Sequence, residues 1–107
     1  MSFDQDKVSK DEQPMSGDYF PEASPYNAKF VKRLGGFDIF KDQSKGMWHA
    51  LVVTEDTTKH KKSVTWYRWN LDYGNWKIGY CNMKANDFDF DEIKRKMNIL
   101  KKIYKIN

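Results

Sequence analysis

The chain has 107 residues, enough for one domain, and a domain of this size buries only about 60–65% of its unfolded surface, a margin that makes a large catalytic cleft hard to support. Leucine is scarce, with Leu34, Leu51, Leu71 and Leu100 standing against seven Phe, six Tyr and four Trp, so the core has to be built from rings and some rings are left at the surface. The net charge of +4 is divided, with two lysines against six acids over residues 1–28 (−4) and 17 cationic side chains against nine acids over residues 29–107 (+8), so an acidic arm precedes a basic body.

Residues 1–28 are polar and acidic, contain Pro14, Pro21 and Pro25, and have no periodic apolar face. They cannot offset their own ordering entropy and read as a disordered acidic N-terminal tail. Tyr19-Phe20 and Tyr26 are aromatic islands within it; settling of these rings back onto the protein's own body is favoured over a partner-binding motif.

The body, residues 29–107, opens with Gly35-Gly36, which interrupts any helix and predicts a short first strand over 37–40. A turn over Asp42 to Gly46 leads to a strand over 47–54 with Trp48, Ala50 and Val52 on one face and Met47, His49, Leu51 and Val53 on the other. After a polar connection over 55–62, the strand 63–72 alternates Val64, Trp66, Arg68 and Asn70 with Thr65, Tyr67, Trp69 and Leu71. Tyr73-Gly74-Asn75 supplies a turn and 76–83 returns as the last strand.

The C-terminal segment carries a helix signature. Asp89 suits an N-cap, Glu92 three residues on completes a capping box, and Phe88 and Ile93 stand at the positions of a hydrophobic staple. Phe90, Ile93, Met97, Leu100 and Tyr104 recur at helical spacing as one apolar stripe, and Lys94, Arg95, Lys96, Lys101, Lys102 and Lys105 occupy the other faces. The expected architecture is α+β: an antiparallel four-stranded meander with one C-terminal helix packed on one face, preceded by the acidic tail. One helix covers one face of a sheet, so the opposite, ring-bearing face is expected to stay open.

An open aromatic face with a lysine rim suits single-stranded nucleic acid, because rings stack on unpaired bases and lysines attract phosphate. The candidate contacts are Lys59, Lys61, Lys62, Arg68 and Lys77 for phosphate, and Trp66, Tyr67, Trp69, Trp76 and Tyr80 for stacking. Sixteen lysines against three arginines argue against sequence reading in a groove, which relies on bidentate arginine. The element order is similar to that of small single-stranded nucleic-acid binders. The alternative from a different class is a small interaction or inhibitor protein, of phage or mobile-element type, that uses the same rings on an acidic host protein. A structural subunit of a larger assembly is a third reading.

Other chemistries lack their residues. Asp87-Phe88-Asp89-Phe90-Asp91 opens like a calcium loop but has Glu92 where the loop needs glycine and Asn98 where it needs glutamate. His49, His60 and Cys81 show no zinc-ligand pairing, and Cys81 reads as a structural thiol rather than a nucleophile partnered by His49. No phosphate loop or nucleophile elbow is present, so a non-enzymatic protein without cofactor is expected. A single cysteine, no apolar leader and no long apolar run point to the cytoplasm and away from a membrane.

Overall fold

The computed structural model describes residues 12–21, 30–79 and 85–107; Tyr26, Tyr80 and Cys81 lie outside the described residues. Five strands form one antiparallel meander in chain order: β1 (Met15–Ser16), β2 (Val31–Asp42), β3 (Met47–Asp56), β4 (Lys61–Asp72) and β5 (Asn75–Ile78). A single α-helix, α1 (Phe90–Ile103), closes the chain. Among the described residues no helix is long and apolar enough to cross a membrane.

The alternation of β3 decides how the sheet is buried. Leu51 and Val53 point to the side on which α1 lies and cluster with Phe37, Ile93 and Leu100, against which Val64, Phe88, Met97 and Tyr104 pack. The helix begins where its cap residues say it should, with the Asp89 carboxylate accepting from the Glu92 N–H at 3.2 Å. Glu92 departs from the expected capping box in pairing with the Arg95 side chain.

Trp48, Ala50 and Val52 point to the other side, where they meet Tyr67 and Trp69 of β4. This face was expected to be open, and it is closed. Phe20, 2% exposed, lies on it with its ring 6.1 Å from Trp69 and 6.0 Å from Trp48. The segment that carries Phe20 falls inside the stretch read as tail. Its described part, residues 12–21, forms β1 on the free edge of β2 and then a 3-10 turn over Gly17–Tyr19 that brings Tyr19 and Phe20 over the sheet. Two rings therefore do for one face what the helix does for the other, and the sheet has two apolar layers above and below it.

Several short contacts hold this strap. Tyr19 donates to Asp38 Oδ2 at 2.7 Å, Trp48 Nε1 donates to Asp38 Oδ1 at 2.6 Å, and Arg33 donates to the Phe20 carbonyl. Burial, with the Asp38 hydrogen bond and charge behind it, pushes the Tyr19 phenol up to about 12, so it stays a donor. Lys41 lies 3.8 Å above the Trp48 ring.

β2, expected as the first strand over 37–40, is longer than that and runs from Val31 to Asp42. Gly35 and Gly36 lie inside it because the chain is crowded there: a Cβ on Gly35 would meet the Met15 carbonyl and the Tyr104 hydroxyl, and one on Gly36 the Leu51 carbonyl. The β4–β5 hairpin has a two-residue turn, with Asp72 paired to Asn75 and Tyr73 and Gly74 at φ of 48° and 81°.

Candidate functional site

The residues that the sequence nominates do not share one surface. Trp69 is fully buried and Tyr67 is 8% exposed, stacked on each other beneath the strap with centroids 5.5 Å apart, so neither can receive a ligand. Trp76 is half-buried on that same face, edge-on to Trp48 at 5.3 Å. Lys77 pairs with Asp72 at 3.2 Å on the last hairpin, and Tyr80 lies outside the described residues. At ~3.3 Å per residue, the Lys61 end of β4 stands roughly 30 Å from the end that carries Lys77's neighbour Asn70.

What the fold does bring together runs down β4 from the β3–β4 turn. Lys59, Lys61 and Lys62 are exposed at and beside the turn, and Lys62, Trp66 and Arg68 then follow at alternate positions on the helix side of the sheet. The turn is fastened by Asp56, whose carboxylate accepts from the Thr58 and Lys59 N–H groups at 2.8 and 3.0 Å; those bonds hold the carboxyl below the usual carboxylate range. That acid is committed to the backbone. Lys62 lies opposite Glu55 in the register without forming an ion pair. Only the Trp69–Asp72 end of β4 pairs with β5, so among the described strands nothing covers the outer edge of its first half.

The sequence also offers the cationic helix face from Lys94 to Lys105 as a nucleic-acid backbone contact, with a solvated face favoured there; the rings that join that helix to β4 it did not nominate. Phe88 sits edge-on to Trp66 at 5.4 Å, and Phe90, 54% exposed, lies 6.1 Å from Phe88. Arg95 and Lys96 point the opposite way, to Glu12 and to the Asp38 carbonyl, which fixes how the helix is turned. Helical spacing then places Lys94 and Lys101, four and eleven residues after Phe90, on the flank that Phe90 marks. The signal was available as an i, i+4, i+11 stripe of ring and cations, but only the rotation of the helix shows that it faces β4.

Trp66 is the centre of this surface, and its ring is held. Its Nε1 donates to His49 Nδ1 at 3.0 Å, which makes Nδ1 the acceptor and leaves the proton on Nε2. His49 is 3% exposed, and its Nε2 finds no hydrogen-bond partner among the described residues. Burial, and then the Arg68 charge beside it, push the imidazole below its ordinary value of 6.5. The unfolded chain therefore takes up this proton first as pH falls, and stability contributed by neutral His49 is present above about 6.5 and declines below it until the native imidazole itself protonates. A urea-midpoint profile of the native protein should fall between pH 6.5 and the carboxylate range, and His49→Gln should flatten that interval; parallel profiles for the two proteins would refute the assignment.

Among the described residues no group of three or more His, Cys, Asp or Glu side chains could hold a metal ion. Lys59, Lys61, Lys62, Lys94 and Lys101 take part in no ion pair with a described residue. The arrangement offers a held, part-exposed indole between two rows of cations. Comparisons with protein-family models, with curated proteins and with solved structures find no match.

Proposed function

We propose that the protein is a non-enzymatic binder of single-stranded DNA or RNA with little sequence specificity, and that its contact surface is the free half of β4 together with the adjoining flank of α1. One observation carries the reading: Trp66 is 38% exposed, twice anchored by His49 and Phe88, and flanked by Lys62 and Arg68 on its own strand. A ring already fixed in place loses little freedom when a base stacks on it. Lys62, Arg68, Lys94 and Lys101 supply the attraction to phosphate, and lysine as a mobile point charge suits backbone contact without base reading.

The test is a tryptophan-fluorescence titration with oligothymidylate at several salt concentrations. Trp48 and Trp69 are 2% and 0% exposed, so quenching reports on Trp66 and the half-buried Trp76, and a Trp76→Phe background isolates Trp66. Four phosphate contacts predict a slope of log K against log salt of about −3. No quenching at low salt, or an affinity indifferent to salt, would sink the reading.

A protein contact is the second reading, favoured by Tyr73. Its ring is 98% exposed, at a turn position of positive φ where asparagine or glycine is the usual choice. That hairpin lies at the opposite end of β4 from the basic turn, so the two surfaces are separate.

A further inference from the structure

The strap does more than cover the sheet. Its described part runs from Phe20 back across the β2 edge to the helix, where Glu12 meets the guanidinium of Arg95, and Arg95 also pairs with Glu92. The two ends of the strap are held very differently. Phe20 is buried against Trp48 and Trp69, whereas Glu12 and Arg95 keep 33% and 44% of their side-chain surface exposed. Between this end and the sheet is an open cleft of about 220 Å³ lined by Met15, Phe37, Arg95, Lys96 and Ile99 among others. An exposed ion pair is a weak fastening, and salt weakens it further.

Arg95 is the only arginine of a helix whose remaining cations include Lys94, Lys101 and Lys102, and its planar fork is suited to a carboxylate or a phosphate alike. We propose that Glu12 occupies a phosphate position: the strap carboxylate and the backbone of a bound strand compete for Arg95, so the acidic strap tempers polyanion binding while Phe20 keeps it attached. This rests on the reading of the β4–α1 surface given above. Arg95 lies about 100° round α1 from Lys94 and is exposed like it, so a strand on the β4 flank reaches Arg95 by crossing the solvent face of the helix.

The experiment repeats the oligothymidylate titration on the full chain with Glu12→Gln, Arg95→Gln, the double variant and Asp18→Asn. Asp18 is exposed on the same strap, and its side chain accepts no hydrogen bond in any described contact, so its variant removes equal charge without touching Arg95. Glu12→Gln should bind about 2- to 5-fold tighter, the range of one exposed ion pair. Its salt slope should steepen by about 0.7, one further phosphate on a single strand. Asp18→Asn should leave the slope unchanged, and Glu12→Gln should have no effect once Arg95 is glutamine. If native protein binds but Glu12→Gln matches it in affinity and slope, or Asp18→Asn tightens binding equally, the competition is refuted and the surface stands. If no protein in the series binds at low salt, the surface assignment fails and the competition fails with it. Urea midpoints of Glu12→Gln and native protein should agree closely, since both side chains of the pair face water.

Discussion

Phe20→Ala is expected to destabilise the protein by ~3–5 kcal/mol, the cost of truncating a buried phenylalanine to leave a cavity. A domain of this size has a total margin of about 5–15 kcal/mol, so the variant should unfold at a much lower urea concentration and be partly unfolded at body temperature. The effect is large because Phe20 is almost fully buried and its ring closes the layer formed by Trp48, Trp69 and Tyr67. Removing it uncovers a face that no other described element covers, since α1 is occupied on the other side. A urea midpoint within experimental error of the native value would mean that the strap is not part of the folded body.

Trp66→Ala should separate binding from folding in the opposite sense. Base stacking on an aromatic side chain is worth ~1–3 kcal/mol, so oligothymidylate affinity should fall by about 5- to 150-fold. The ring is part-exposed, and its loss leaves the main packing of Leu51, Val53, Ile93 and Leu100 in place. Stability should therefore drop only modestly, through the lost bond to His49 and the contact with Phe88. Trp66→Phe keeps a stacking ring without the indole donor and should fall between the two. Trp69→Ala is not an equivalent experiment, because that ring is sealed in the core and its removal damages the fold first. Unaltered affinity in Trp66→Ala would remove the indole from the interface.

Much of the body was legible because its signals are local. The β3 alternation of Trp48, Ala50 and Val52 against His49, Leu51 and Val53 matches the two buried clusters, since alternation is a property of any extended strand. The Asp89 cap and the Ile93, Met97, Leu100 and Tyr104 part of the apolar stripe were equally readable, because capping and helical periodicity act within a few residues, whereas Phe90, read as the first member of that stripe, is 54% exposed. Lys59, Lys61, Lys62, Trp66 and Arg68, all nominated in the sequence, have exposed side chains, but Trp66 and Arg68 stand on the helix side of the sheet and not on the face expected to be open. Tyr67 and Trp69 are buried and Trp76 half-buried, because they belong to the face that the strap covers.

The sequence by itself determined which residues alternate, where the helix starts, and that this leucine-poor chain must bury rings. It also determined that rings stand on both faces of β4. Which of those rings remain in contact with water was decided only by tertiary structure, because exposure depends on what another part of the chain lays over a face. Phe20 reaches Trp48 and Trp69 across a long stretch of sequence, from a segment whose composition alone is too polar to order. Its ordering is offset by apolar surface it does not itself possess, the indoles of β3 and β4, and no local pattern records that debt.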